Sequence, residues 1–323
     1  MTVLSRRSLV LASLATLAGL QPAAADYPER PITIVVPYAA GGAGDSIIRL
    51  LSPTIERNLG HPLVIDSRPG GGGTIGAQAV AKAAPDGYTL LLGAANNFVI
   101  NQFLFPKIVF DPLASFTLIT KLADVPSVLY TNANGPAKTL AEFIAHAKTN
   151  PGKLSYASPS VGTTPHLSVE RLKQLTGIEL LHVPYRGASP AMQAVIANEV
   201  NLYLAGWGVG KGLVESGRVR ALAVASRERI PNIPLPTAIE SGVPDYVASN
   251  WWGLAAPLGT PQPVVDKVYK AVAAALAEPA MVRRLDELGF VPVGDAPPKF
   301  AEDAKTEAKL WAETISRGRL AID

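Results

Sequence analysis

The strongest constraint on the fold is a rhythm. Short, unbroken apolar runs rich in branched residues alternate with segments of helical length through most of the chain. Residues 32–36 (ITIVV) lead through a glycine-rich loop into a helix expected over 45–59. Residues 63–66 (LVID) lead through a second glycine loop into a helix over 74–83, and the run 88–93 (YTLLLG) follows. Further strands are expected at 127–131, 153–157, 179–183, 200–205 and 219–226, with helices at 140–148, 165–176, 190–197 and 208–216 between them. Strands that are apolar throughout must be covered on both faces, which is the pattern of parallel sheets flanked by helices. The expected fold class is α/β.

The rhythm fails twice, at 118–128 and 246–254, each time near prolines or turn residues. At 323 residues the chain is about twice a typical ~150-residue domain. A central lobe, 124–247, set between the two parts of an outer lobe, 26–123 and 248–323, fits both observations. The last part is different in kind: helices are expected over 264–277, 280–288 and 298–317, with one short strand at 290–293. Helix starts are marked by Thr164-Pro165, Ser189-Pro190 and Thr260-Pro261, each pairing an N-cap hydroxyl with a proline at the first helical position. Asp45 is the expected N-cap of the first helix.

The N-terminus reads as an export signal. Arg6-Arg7 precede an apolar run, 9–20 (LVLASLATLAGL), then Gln21-Pro22 and Ala23-Ala24-Ala25. A basic start, a short apolar core and an A-x-A site make a cleavable signal peptide over 1–25. These twelve residues span about 18 Å as a helix, short of a ~30 Å hydrocarbon core. The pair of arginines leaves Sec and Tat export both open. Residues 1–25 carry two of the positive charges and no acid, so the formal +3 of the chain falls to +1 in a mature product of 298 residues. That balance, without basic clusters, gives no support for nucleic-acid binding. Cysteine is absent. No disulfide, thiolate metal site or lipidated N-terminal cysteine is therefore available. No later run reaches 18 uninterrupted apolar residues. The expected product is a soluble exported protein without a lipid anchor.

Glycine clusters carry the site. Gly71-Gly72-Gly73-Thr74-Ile75-Gly76 satisfies the G-x-G-x-x-G pattern of dinucleotide folds. However, the segment after the next strand, Ala94-Ala95-Asn96-Asn97, lacks the acid that would hold a ribose. A tight turn is the simpler reading, and no cofactor is expected. The loop Tyr38-Ala39-Ala40-Gly41-Gly42-Ala43-Gly44-Asp45 has no Gly-Lys-Ser/Thr and is no Walker loop; it can aim free N–H groups and a helix dipole at an anion. Ser158-Pro159-Ser160-Val161-Gly162-Thr163-Thr164-Pro165-His166 and Tyr185-Arg186-Gly187-Ala188-Ser189-Pro190 precede helix starts in the same way, and Arg186 offers a charge-assisted bond. Such loops at the carboxyl ends of strands occupy the edge where open α/β sheets take ligands.

Catalytic groups are not assembled. His61, His146, His166 and His182 form no metal-binding pair, and Gly187-Ala188-Ser189-Pro190-Ala191 lacks the last glycine of a nucleophile elbow. His166 reads as a polar wall or capping residue. Trp251 and Trp252 cannot face the same way on a strand, so one belongs to a core and the other is free for a cleft or interface.

The chain resembles the Bug receptors, the TctC-like periplasmic solute-binding proteins of tripartite tricarboxylate transporters. The resemblance runs over the mature chain. It rests on Tyr27-Pro28-Glu29-Arg30-Pro31-Ile32, the loop 37–45, Arg68-Pro69-Gly70 with the glycines that follow, Ala84-Pro85-Asp86-Gly87-Tyr88-Thr89-Leu90, His166-Leu167, Val183-Pro184-Tyr185-Arg186-Gly187, Trp252-Gly253-Leu254-Ala255-Ala256-Pro257 and Gly259-Thr260-Pro261.

What the resemblance implies is a two-lobed, type II-like Venus-flytrap fold with two crossovers. A small carboxylate would be held largely by main-chain N–H groups and handed to the permease subunits of a tripartite tricarboxylate transporter. The ligand residues carried over are Tyr38, Ala39, Ala40, Gly41, Gly42, Gly44 and Asp45 in the first loop and Ser158, Ser160, Gly162, Thr163, Thr164 and His166 in the second. Tyr185, Arg186 and Gly187, with Asn96 and Trp207, complete the set. Where the family often has an aspartate before a late strand of the central lobe, this chain reads Asn198-Glu199-Val200-Asn201. The expected ligand is therefore a mono-, di- or tricarboxylate, with room for an aromatic body, rather than an amino acid. An exported sensor that signals to a two-component partner is the alternative.

Overall fold

The computed structural model describes residues 27–105 and 107–320; the signal segment lies outside them. Three parallel strands open the chain: β1 (Ile32–Val36) lies between β2 (Leu63–Ser67) and β3 (Thr89–Ala94). Helix α1 (Ala43–Leu59) buries Ile47, Ile48, Leu51, Ile55 and Leu59 along one face, and Gly60 ends it in the left-handed conformation, its N–H on the Glu56 carbonyl. Helix α2 (Thr74–Ala81) precedes β3, and a π-helical turn (Asn96–Ile100) with the short α3 (Asn101–Leu104) follows it.

The strand expected at 127–131 is the end of a much longer one, β4 (Phe116–Asn132). Its first half pairs antiparallel with β9 (Ser249–Pro257), from Phe116↔Pro257 to Pro126↔Ser249. From Ser127 onward it pairs with β7 (Leu202–Gly206) and β8 (Val219–Val224) instead. The change falls at Pro126, which has no N–H to donate to a ladder. The two places where the rhythm fails are thus the two strands that carry the chain between lobes. β5 (Leu154–Ser158) and β6 (Leu180–Pro184) extend the second sheet in parallel with β7. A two-residue β10 (Val291–Pro292) adds to the first sheet beside β4.

Both sheets are buried on both faces, as unbroken apolar strands require. In the first, Ile32, Ile34 and Val36 point toward α1 and α8 (Gln262–Ala277), while Val35 and Leu91 point toward Phe300 and Trp311 of α10 (Pro297–Gly318). Helix α9 (Pro279–Glu287) packs beside α8. In the second, Leu129, Tyr156 and Leu202 face α4 (Leu140–Thr149) and α5 (Thr164–Thr176). Val128, Tyr130 and Tyr203 face α6 (Ala188–Ile196) and α7 (Trp207–Glu215). Among the described residues no helix is long and apolar enough to cross a membrane.

Four helix starts differ from expectation. α1 begins at Ala43 with Gly42 as N-cap, so Asp45 sits inside the first turn. α5 begins at Thr164 with Thr163 as N-cap, and the Thr163 hydroxyl donates to the Ser160 carbonyl rather than capping. α6 begins at Ala188 behind Gly187, which places Ser189 within the helix. α8 begins at Gln262, and the Thr260 hydroxyl donates to the Pro257 carbonyl rather than capping. A glycine lets the chain enter a helix without a side-chain cap, and the hydroxyls are then spent elsewhere.

Candidate functional site

The carboxyl ends of the parallel strands in both sheets open onto one cleft of about 760 Å³, a ligand-sized volume. Four helices begin at its walls: Ala43 of α1, Thr164 and Pro165 of α5, Ala188 of α6, and Gly208 of α7 with its N-cap Gly206 all line it. None of the four has a side-chain cap, whereas α4, outside the cleft lining, is capped by the Thr139 hydroxyl. Unpaired N–H groups and the positive dipole ends therefore gather at the cleft.

Lobe 1 supplies a closed polar network. The Tyr38 hydroxyl donates to Oδ1 of Asn96 (2.7 Å) and of Asn97 (3.0 Å), and burial raises its pKa, so it stays a donor. The Gly72 carbonyl accepts from Nδ2 of Asn96, Asn101 and Asn97 at 2.9, 3.2 and 3.3 Å. Gly71, Gly72 and Gly73 all hold positive φ, and a Cβ on Gly73 would stand 2.2 Å from Asn97 Nδ2. Gly73→Ala should therefore break this network and lower stability by about 2 kcal/mol. A urea midpoint equal to the parent's would show that Asn97 can move aside.

Asp45 changes the role of the first loop. It is buried, its Oδ2 accepts the Gly41 N–H at 3.0 Å, and Arg49 Nε reaches both carboxylate oxygens at 2.9 Å. The Arg49 hydrogen bond, with the Gly41 N–H, holds this carboxyl below the usual range. The start of α1 thus already carries its own anion. Ala39, Ala40, Gly41 and Gly42 are exposed and outside the cleft lining, and Gly44 lies beneath the Trp252 ring.

Lobe 2 keeps three helix starts free of side-chain caps. Ser160, Gly162, Thr163 and Thr164 line the cleft. Behind them, Ser158 Oγ donates to the Ser160 carbonyl (2.9 Å) and lies 2.7 Å from His182 Nε2. With the serine proton on Ser160, the proton between serine and imidazole is the histidine's. Thr163 Oγ1 donates to the same Ser160 carbonyl at 2.8 Å, and His166 Nδ1 accepts the Gly162 N–H at 3.1 Å.

His166 is buried and stacked on His182, ring centroids 4.0 Å apart, and Tyr156 also stacks on His182 at 4.8 Å. Burial, then the neighbouring imidazole, lowers the His166 pKa from 6.5 to about 4. It remains the neutral acceptor that Gly162 needs. Because the folded value lies below the unfolded one, the unfolded chain binds the proton first. Stability is full above pH 6.5 and falls as pH drops toward about 4, by up to roughly 3 kcal/mol for this group. Chemical denaturation across that window should show the loss, and His166→Gln should remove most of it.

The remaining expected contacts lie elsewhere. Tyr185 N–H and Gly187 N–H donate to the carbonyls of Ser158 and Pro159, and Arg186 between them is exposed. Neither Arg186 nor its two neighbours line the cleft. Trp207 is buried in lobe 2, although Gly206 and Gly208 on either side of it line the cleft. The tryptophan pair divides as strand alternation requires. Trp251 enters the core and donates to Glu307 Oε2 at 2.7 Å, while Trp252 faces the cleft and meets Tyr38 edge-on at 5.4 Å. Asn101, Phe105, Tyr203, Asn250 and the segment 288–290 also line the cleft, beyond the residues expected from the sequence. Only the asparagines at 96, 97 and 101, spaced to share a helical turn, left a signal.

Across the cleft the lobes meet at Gly208 and Gly289. A Cβ on Gly208 would stand 2.4 Å from the Leu288 carbonyl oxygen, and one on Gly289 would stand 2.5 Å from the Gly208 nitrogen. Asn232 Nδ2 donates to Asp286 Oδ1 at 3.0 Å between the same lobes.

Two helix-flanked sheets, two crossing strands and a ligand-sized cleft between them define a solute-binding protein of the periplasmic-binding type rather than an enzyme. The chain belongs to the tripartite tricarboxylate transporter receptor family, TctC, whose model matches residues 47–322. The UPF0065 protein in the tcbD-tcbE intergenic region of Pseudomonas sp. (strain P51) is 38% identical over 91% of this chain and 88% of its own length. Protein BugT of Bordetella pertussis is 33% identical over 94% of each chain. The structure of R. palustris Rpa4515 with adipate is 33% identical, with a TM-score of 0.81, and covers 91% of this chain and 99% of that one.

Proposed function

We propose that this protein captures a small carboxylate in the periplasm and delivers it to the permease of a tripartite tricarboxylate transporter. The observation that carries the reading is the meeting of uncapped helix starts on a cleft whose lining, among the described residues, includes no charged side chain. Such a cleft suits an anion held by N–H groups and hydroxyls. The adipate complex of the R. palustris relative supports the same ligand class. In this reading Tyr38, Asn96, Ser160, Gly162, Thr163 and Thr164 face the ligand. Gly44, Asp45, Ser158, His166, Tyr185 and Gly187 shape the loops behind them. The lobes are residues 26–123 with 248–323, and residues 124–247. The working species is the monomer, freed of residues 1–25.

A thermal-shift screen of the mature protein against mono-, di- and tricarboxylates tests the binding role. A ligand present at about 100 times its Kd should add roughly 2.7 kcal/mol of stability. No response to any organic acid, with a response to sugars, would remove the proposal. Uptake by permease vesicles only when this protein is added would test the delivery step.

A further inference from the structure

We infer that the ligand carries a single ionised carboxylate, seated on lobe 2, with an uncharged apolar body against lobe 1; this rests on the carboxylate reading above. The two walls differ in kind. On lobe 2, none of α5, α6 and α7 has an acid in its first turn, and all three start at the cleft without a side-chain cap. The Ser160 and Thr164 side chains stand beside them on the same wall. An anion placed there meets N–H groups and dipoles that no acid in those first turns neutralises.

Lobe 1 offers no equivalent seat. The start of α1 is already neutralised by the buried Asp45, which takes the Gly41 N–H. The Tyr38 proton and the amide groups of Asn96 and Asn101 are committed within their own network. Phe105, Trp252, Leu288 and Phe290 make the rest of that wall largely apolar, with Asn250 as its further polar residue. The Trp252 indole N–H is buried and has no acceptor among the described residues. Asn250 offers a neutral amide, suited to an uncharged oxygen on the ligand body. A second carboxylate pressed against this wall would lose its water without gaining a cation or a set of free N–H groups, at a cost of several kcal/mol for an ion left unpaired.

Calorimetric titration of the mature protein with matched acids tests this: hexanoate against adipate, and benzoate against terephthalate, with hexanamide and benzamide as uncharged controls. In at least one pair the mono-acid should bind about tenfold or more tighter than both the diacid and the amide. A Ser160→Ala/Thr164→Val double substitution should then erase the preference for acid over amide, an effect that a loss of folding alone would not produce. If the diacids, malate or citrate bind as tightly as the mono-acids or more so, the single-charge inference falls and the carboxylate reading stands. If the amides match the acids, the seat on lobe 2 falls. No binding of any acid overturns the inference together with the reading it rests on.

Discussion

Gly208→Val should cost ligand affinity on the order of a hundredfold, about 2.7 kcal/mol. Gly208 and Gly289 bring two backbones together across the cleft, and neither position has room for a Cβ. The atoms in the way are a main-chain carbonyl oxygen and a main-chain nitrogen, which cannot swing aside as a side-chain tip can. The added methyls can be accommodated only by moving the lobes apart, which separates the donors of lobe 2 from the wall of lobe 1. Small-angle scattering should report a larger radius for the variant, while its circular dichroism stays that of the parent. Full affinity in Gly208→Val, with an unchanged radius, would show that the contact does not set the spacing of the lobes. Gly289→Ala should act in the same direction, since its φ of 79° adds backbone strain to the clash.

The second large effect is expected at Trp252. It is only 6% exposed, its ring covers Gly44 at the start of α1, and Tyr38 meets it edge-on. Trp252→Ala should cost about 3–5 kcal/mol of stability, a fall of roughly 10 °C or more in Tm. It should also weaken binding of apolar acids more than binding of acetate, because the lost wall touches only the body of the ligand. Trp252→Phe separates the two effects: it keeps most of the packing and removes the unpartnered N–H. Equal losses for acetate and for the longer acids in Trp252→Ala would remove Trp252 from the binding wall.

Local chemistry explains what could be read in the sequence. The strands of lobe 1 and the helices behind them follow from apolar runs and helical spacing, and the α/β class follows with them. The split of Trp251 and Trp252 between core and cleft needs only the twofold alternation of a strand. What escaped the reading depends on partners distant in the chain. β4 looked like an interruption because Pro126 lies in its middle; it is a strand because two different sheets pair with its two halves. Asp45 looked like a helix cap, and only the folded loop shows that it takes Gly41 and Arg49 for itself. Arg186 looked like the natural cation for an anion. The pairing of its neighbours with Ser158 and Pro159 turns it outward instead. Gly71 and Gly72 were rightly a tight turn, yet nothing local places that turn on the cleft.

The course of the chain through the crossing strands also orders its folding. Lobe 2 is one continuous segment between β4 and β9, so its core can close as soon as that segment is available. Lobe 1 cannot close so early. α2 and the π-helical turn cover only part of the far face of its first sheet; Trp251 and, on the last helix, Phe300 and Trp311, all after lobe 2 in the chain, complete it. Until the C-terminus is present, β3 lacks its β9 partner and that apolar face stays half covered, a sticky intermediate of the kind that chaperones bind. In pulsed hydrogen exchange during refolding, the amides of β5 and β7 should gain protection before those of β1, although β1 comes first in the sequence.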